Sequence, residues 1–167
     1  MRLVPPSAAH LRRLMTWFDT EETLRTWGGP DVRFPFDERT FEEDMKLDEL
    51  AAFVLLGDRG AMLGFGRLYE RLGRAHLARL AVPPFLRGQG IGRLLVEEMA
   101  RKGRELFQAT ENSLFVYRHN TVAWHCYRKA GFVETVYPEE EAFYAETLYM
   151  VRKESRDKGE KEHGWKR

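Results

Sequence analysis

Three glycines alternate with larger residues in the segment FLRGQGIGR, where they occupy positions 88, 90 and 92 behind Arg87. Apolar side chains then recur at helical spacing over residues 91–102, which predicts that a helix begins at this turn. Glycine lets the backbone approach a bound group closely, and the helix dipole places partial positive charge at the same point. The pattern therefore predicts that successive main-chain N–H groups bind an anion, most simply a phosphate.

Three kinds of phosphate-binding turn can be compared with this spacing. A dinucleotide-binding turn, G-x-G-x-x-G, requires glycine at the position of Arg93. A P-loop, G-x-x-x-x-G-K-[ST], requires Lys and then Ser or Thr, whereas Gly92 is followed by Arg and Leu. The third pattern, [QR]-x-x-G-x-[GA], is matched from Arg87 to Gly92. A tight turn without a ligand is the alternative, but it needs neither three glycines nor an arginine.

The segment LARLAVPPFLRGQGIGRLLVEEMARKG, residues 77–103, resembles the acetyl-CoA motif of the GNAT superfamily of N-acetyltransferases. In that family the turn binds the pyrophosphate of coenzyme A, chiefly through main-chain amides. The end of the preceding strand splays from its parallel neighbour and offers main-chain groups to the pantetheine arm and the thioester carbonyl. The resemblance implies coenzyme A contacts from Leu80, Ala81, Val82, Arg87, Gly88, Gln89, Gly90, Ile91, Gly92 and Arg93.

A second segment, NTVAWHCYRKAGF, resembles the helix that carries the other GNAT motif. Asn120, Ala123 and Tyr127 fall at i, i+3 and i+7, so they share one face of a helix. The resemblance implies that small Ala123 leaves room for coenzyme A and that the Tyr127 phenol protonates the departing thiolate. Packing on the sheet is the alternative for Tyr127. Asn120 is equally well explained as a helix cap and as a coenzyme A contact.

Direct attack by an amine requires a group that accepts its proton. In histone-acetylating members of the family a Glu precedes the end of the motif strand by six residues, and that position is His76 here. A half-exposed strand histidine without a catalytic role is the alternative. Glu70 on the preceding strand is a second candidate base, acting through water.

The acceptor site is predicted in the variable region near the N-terminus. Trp27, Phe34 and Glu21 lie where GNAT proteins build their substrate lid, and the acidic segment PEEEA at 138–142 adds negative charge. These features favour a cationic amine acceptor. Solvated charges and core aromatics are the alternative explanation.

The elements that must position these residues follow from periodicity and turn signals. Helical patterns precede and follow a β-rich middle, which predicts an α/β (α+β) fold. Its sheet is mixed and mostly antiparallel, with a splayed central parallel strand pair and helices on both faces. One domain is predicted over residues 1–152 and a charged, disordered tail over 153–167. The predicted strands cover residues 1–4, 51–56, 61–70, 75–82, 113–118 and a closing pair within 132–152.

Composition limits the function classes. Lys and Arg number 27 against 26 Asp and Glu, so no basic excess favours nucleic acid or an anionic membrane. Cys126 is the only cysteine and the five histidines lack metal-ligand spacing, so neither a disulfide nor a metal site is expected. No apolar segment is long enough for a membrane span or forms a signal core, which favours a cytoplasmic protein.

The resemblance implies an N-acetyltransferase that moves an acetyl group from acetyl-CoA to a primary amine by direct attack in a ternary complex. The acceptor is a small molecule, such as a polyamine or aminoglycoside, or a peptide or protein amine. A non-catalytic acyl-CoA-binding or sensing module and a nucleotide-dependent oxidoreductase are the alternatives. A homodimer through the aromatic C-terminal strand is also possible.

Overall fold

One sheet of seven strands runs through residues 1–139 and 145–154, the part of the chain that this computed structural model describes. The strand order is β1-β2-β3-β4-β5-β7-β6, and every neighbouring pair is antiparallel except β4 and β5. The predicted fold class is thereby confirmed. The strands are β1 (Arg2–Val4), β2 (Ala51–Leu56), β3 (Met62–Arg71), β4 (Arg74–Ala81), β5 (Glu111–Tyr117), β6 (Val133–Thr135) and β7 (Thr147–Lys153).

Five α-helices cover the two faces of this sheet within the described ranges. They are α1 (Ala8–Met15), α2 (Glu21–Gly28), α3 (Glu38–Met45), α4 (Ile91–Phe107) and α5 (Thr121–Lys129). The first three begin at capping boxes, in which the side chains of Ser7, Thr20 and Asp37 accept from the backbone three residues on. Short helices of this kind depend on such caps and on tertiary packing.

The core has two parts, one on each face of the sheet. Helices α1 to α3 pack on one face through Leu14, Leu24 and Phe41, which are fully buried with Phe65 of β3. Helix α4 packs on the other face through Leu95 and Met99, with α5 beside it. The sheet is thus shielded from water on both faces around its centre.

The parallel strands β4 and β5 separate halfway along their length. They pair only from Ala75 to Leu77, opposite Asn112 to Leu114. Beyond that point β4 continues to pair with β3, and β5 with β7. Because parallel strands leave their pairing in the same direction, the sheet opens into a V between 78–81 and 115–117.

Helix α4 runs back along β4, so its first turn lies at the open end of this V. A Cβ on Gly103 would lie 2.9 Å from the Cβ of Ala75, and a Cβ on Gly92 would lie 4.0 Å from Val82 Cγ2. The sequence places the helix end at 102, before Gly103, but the helix continues to Phe107. Glycine stands at 103 because helix and strand approach too closely there for a side chain, not as a stop signal.

The C-terminal strand lies inside the sheet and not at its edge. β7 pairs with β5 on one side and, over residues 149–151, with the short β6 on the other, so the middle of the strand edge invoked for a homodimer is already paired. Lys153, placed in the predicted tail, belongs to β7. The remaining tail from 155 and most of the acidic segment 138–142 fall outside the described residues. None of the described helices is long and apolar enough to cross a membrane.

Candidate active site

The glycine turn presents a row of unused main-chain donors. Gly88 and Gly90 have φ values of 76° and 81°, a backbone conformation that side chains rarely adopt. No N–H group from Gly88 to Arg93 donates to another described residue, and the first intrahelical bond runs from Leu94 N to Gly90 O at 3.3 Å. A Cβ on either of these glycines would meet nothing within 4 Å. The turn is therefore an open cradle of donors that suits a diphosphate.

Positive side chains flank this cradle. Arg87 and Arg93 are exposed, and neither forms an ion pair with any described carboxylate. The first turn of α4 has no acidic residue. Gln89 instead braces the turn, donating from Nε2 to Phe85 O at 3.4 Å. Backbone donors, helix dipole and two free guanidinium groups all favour an anion at this point.

The end of β4 supplies a second set of main-chain groups. Leu80 and Ala81 lie beyond the last residue that pairs with β5, so their groups on that side have no strand partner. A bulge interrupts the β3–β4 register here, and Arg79 within it has a φ of 51°. Val82 follows the strand and lies close to Gly92. The structure thus joins the predicted strand end and the glycine turn into one continuous groove.

Helix α5, which carries Tyr127, packs beside the first turn of α4. A Cβ on Gly92 would lie 3.6 Å from the Sγ of Cys126, the residue before Tyr127, so the two helices meet beside the turn. Tyr127 is partly buried, and its hydroxyl has no hydrogen-bond partner among residues 1–139 and 145–154. Burial, followed by neighbouring Cys126, raises the pKa of the Tyr127 phenol. The phenol is therefore neutral at physiological pH and able to donate a proton.

The other two residues of this motif have local roles as well. Asn120 caps α5, its Oδ1 accepting from Ala123 N at 3.3 Å. Its amide nitrogen has no described partner and is left available to a ligand. Ala123 packs against the α4-side core with Tyr127. Both explanations for Asn120 are thus compatible with the geometry.

The structure does not support His76 as the base. Its side chain is 1% exposed, and its Nδ1 lies 2.8 Å from Ser113 Oγ. The rings of Tyr69, Phe115 and Tyr149 surround it. Burial, and next the charge of Arg71, lower the pKa of His76 to about 3. The sequence predicts only that His76 lies on this strand, six residues before Val82. It does not show that aromatic rings from other strands enclose the side chain.

Acid conditions are expected to destabilise the protein through His76. Its pKa falls from 6.5 to about 3 on folding, so below the unfolded value only the unfolded chain gains a proton. The unfolding free energy contributed by this group is therefore present above pH 6.5 and lost as pH falls toward 3. Wild type should lose unfolding free energy as the pH falls from about 7 to about 4, and replacing His76 with Gln should make that loss smaller by roughly 3 kcal/mol.

Denaturant unfolding at several pH values measures this effect, with His125→Gln on the exposed side of α5 as the control. Equal pH dependence in wild type and His76→Gln would show that His76 is not the buried neutral group described here.

Glu70 lies at the wrong end of the sheet to act as the base. It is exposed and pairs with Ala75, next to the β3–β4 hairpin turn. The end of β4 at Ala81, where the thioester carbonyl is predicted to bind, is six residues further along that strand, about 20 Å away for an extended strand. A single bridging water cannot cover that distance.

The three residues predicted to bind the acceptor have different surroundings. Trp27 stacks on Phe18 with ring centroids 4.3 Å apart and donates from Nε1 to Arg79 O at 2.9 Å, so it fixes α2 on the bulge of β4. Phe34 is 37% exposed and contacts Phe36. Glu21 forms an exposed ion pair with Arg25. None of the three lines the pocket described next.

A pocket of about 530 Å³ lies between α2 and the end of β5, at the mouth of the V. Apart from Glu22, an acidic residue that the sequence places near the acceptor, sequence reasoning missed its residues, because they come from segments distant in the chain that meet only in the fold. Among the lining residues, the Nε2 of His119 lies 3.5 Å from Thr26 Oγ1, and its ring centroid is 5.3 Å from that of Tyr117. The side chains that line it include Glu22, Arg25, Thr26, Tyr117, His119 and Glu146.

Two arginines near this pocket were also missed. Arg67 and Arg79 interrupt the apolar strands GFGRLYE and AHLARLAV, at positions where a charged residue is unusual. A charge inside an apolar strand pattern is the signal by which they could have been found. Within the described ranges, no three His, Cys, Asp or Glu side chains form a group suited to a metal ion.

Comparison with solved structures supports the fold. A mutant of the spermidine N-acetyltransferase SpeG from Vibrio cholerae superposes with a TM-score of 0.68 at 20% identity, covering 92% of this chain and 95% of that one. The structure of SpeG from Vibrio cholerae in complex with CoA and spermine superposes with a TM-score of 0.68 at 19% identity, covering 90% of this chain and 93% of that one. The PaiA N-acetyltransferase from Thermoplasma acidophilum in complex with coenzyme A superposes with a TM-score of 0.65 at 20% identity, covering 92% of this chain and 98% of that one.

Comparison with protein families is more direct. The sequence model of the protein family described as the acetyltransferase (GNAT) family matches residues 11–132, well over half of the chain. This range contains the glycine turn, both strands of the V and Tyr127. Sequence and fold agree, and the chain belongs to the acetyltransferase (GNAT) family.

Proposed function

We propose that this protein transfers the acetyl group of acetyl-CoA directly to a primary amine while both substrates are bound. Acetyl-CoA is the acyl donor of the family to which the chain belongs. The observation that carries the proposal is that three features lie on elements that come together beside the first turn of α4. These are the unused N–H groups from Gly88 to Arg93, the separated ends of β4 and β5, and the unpartnered hydroxyl of Tyr127.

In the proposed reaction the amine nitrogen bonds to the acyl carbon as the carbon–sulfur bond breaks. Free main-chain groups at Leu80 and Ala81 hold the pantetheine arm and polarise the carbonyl. Tyr127 gives its proton to the departing thiolate and regains one from solvent. The same binding set includes the turn residues and Arg93, with Asn120 and Ala123 along α5.

We propose that His119 is the base that accepts the proton of the amine. It lines the pocket at the mouth of the V and is exposed to solvent. Glu22 and Glu146 line the same pocket and form no ion pair with a described residue, so they attract a cationic amine. This arrangement replaces His76 and Glu70, neither of which reaches the groove. It suits a small-molecule or peptide amine.

Thiol release from acetyl-CoA, measured across a panel of polyamines, aminoglycosides, amino acids and peptides, tests the function. His119→Gln should lower kcat by about 100-fold near neutral pH. The loss should shrink as pH rises toward the pKa of the amine, because a neutral amine no longer needs a base. His125→Gln serves as the matched control on an exposed helix surface.

Two results would contradict the proposal. Binding of acetyl-CoA without thiol release for any amine would indicate a binding or sensing module. Thermal stabilisation by NAD(P) but not by coenzyme A would indicate a nucleotide-dependent enzyme.

A further inference from the structure

Two arginines share the sheet face that α1 to α3 cover. Arg67 on β3 is 6% exposed, and its Nη1 donates to Met45 O at the end of α3 at 2.8 Å. Arg79 on the bulge of β4 lies beside α2, with its guanidinium carbon 5.8 Å from the centre of the Trp27 ring. Each charge therefore lies between the sheet and a helix, close to the V.

The described protein provides these two charges with few hydrogen-bond acceptors. Arg67 Nε and Arg79 Nη1 are buried and have no hydrogen-bond partner. Neither arginine forms an ion pair with a described carboxylate. Arg79 is itself partly exposed, so part of its guanidinium is open to a ligand.

The nearest carboxylates are otherwise engaged or too far away. Asp44 accepts from Arg33 with both oxygens, at 3.0 and 3.1 Å, and also from the backbone of that residue. Asp31 is exposed and lies beyond ion-pair distance of Arg79, although its charge still acts on it. The charge of Arg79 is thus only partly compensated in the free protein.

Burying a cation without a carboxylate partner costs free energy, and burial changes the pKa of both arginines accordingly. Burial, and next the charge of Arg67, lower the pKa of Arg79 to about 10. Burial also lowers the pKa of Arg67. Natural proteins pair such charges or reserve them for a ligand. A planar carboxylate matches the fork of donors on a guanidinium.

Arg79 packs against α2, the helix whose residues Arg25 and Thr26 line the pocket, since a Cβ on Gly28 at the end of α2 would lie 3.0 Å from Arg79 Nη1. Burial raises the pKa of Tyr117, and the charges of Glu146 and Asp31 add to that effect, whereas Arg25 and Arg79 oppose it. We propose that the acceptor amine also carries a carboxylate, which Arg79 binds beside the pocket with Arg67 behind it. This inference rests on the proposed acetyltransferase function and names its substrate class.

An amino carboxylate differs in charge from the spermine bound to the SpeG protein of similar fold. A polyamine would place further positive charge next to two incompletely paired arginines, which disfavours it. The acidic Glu22 and Glu146 then attract the amino group, and Arg79 attracts the carboxylate. The two ends of the substrate are thereby told apart.

Matched amine pairs test this inference. Amino carboxylates of increasing chain length are compared with their amides in thiol release, alongside spermidine. We expect kcat/KM to favour the free carboxylate by about tenfold or more. Arg79→Gln should reduce that ratio to about one, whereas Arg12→Gln, in the exposed pair with Glu38, should leave it unchanged. Loss of the ratio in Arg25→Gln but not in Arg79→Gln would place the carboxylate on an arginine of the pocket wall and overturn the assignment.

Thermal unfolding with coenzyme A present gives a readout that does not need turnover. Amino carboxylates should raise the Tm of wild type but not of Arg79→Gln. The unliganded variant should be at least as stable as wild type, because a buried charge that has no carboxylate partner among the described residues is removed. Carboxylate-dependent stabilisation without thiol release would contradict the proposed acetyltransferase function but support carboxylate binding by Arg79. Equal acetylation of amides and carboxylates would support the acetyltransferase function but contradict carboxylate binding by Arg79. A lower Tm in Arg79→Gln with an unchanged ratio would assign Arg79 to packing.

Discussion

Replacing Tyr127 with Phe is expected to lower kcat by roughly 100-fold or more while the affinity for coenzyme A stays close to that of wild type. The substitution keeps the ring, which packs near Phe132 with centroids 6.3 Å apart, and removes only the hydroxyl. That hydroxyl has no partner in the described protein, so its loss breaks no hydrogen bond and should cost little unfolding free energy. Thiol release and coenzyme A binding, measured on the same samples, separate the two effects.

Tyr149→Phe is a suitable control, because it also removes one phenolic hydroxyl from the sheet region. This hydroxyl accepts from Arg74 Nη1 at 3.3 Å and has no place in the proposed reaction. Because burial raises the pKa of Tyr127, the wild-type acid should remain protonated up to at least about pH 10. A fall in kcat of equal size in both variants would show that Tyr127 acts through stability and not as an acid.

Gly90→Ala is expected to raise the KM for acetyl-CoA by about tenfold or more, because it disturbs the donor cradle at the start of α4. Gly90 has a φ of 81°, which an L-residue adopts only under strain. Its missing Cβ would project into space that is empty of protein within 4 Å, where the phosphates are proposed to lie. Both effects weaken diphosphate binding without touching Tyr127.

The β3–β4 hairpin offers a closely matched control. Gly73 has a φ of 73°, and a Cβ there would also meet nothing within 4 Å. Gly73→Ala should therefore cost a similar unfolding free energy, about 1–2 kcal/mol, with the KM unchanged. If both variants raise the KM equally, the glycine turn binds no phosphate and only the strain matters.

Local pattern was sufficient for the elements and for the donor end of the groove. The alternation of glycines from 88 to 92 and the helical spacing of Asn120, Ala123 and Tyr127 are short-range signals, and backbone conformation follows from them directly. The family resemblance then supplied the coenzyme A function, which the family match confirms. Helix ends were less certain, because Gly103 has a packing reason that no local pattern shows.

The acceptor end depended on tertiary structure. His76 and Glu70 were reasonable bases by position along their strands, yet His76 is enclosed by aromatic rings and Glu70 lies on β3 opposite the start of β4. Side chains that line the pocket come from α2, from the end of β5 and the turn after it, and from the residue before β7. Sequence by itself determined the glycine turn and the helix that carries Tyr127, since each pattern lies within a few residues, and from them it predicted a coenzyme A site and a proton donor. Only the fold decided which charges face the acceptor, because burial and pairing depend on residues far apart in the chain.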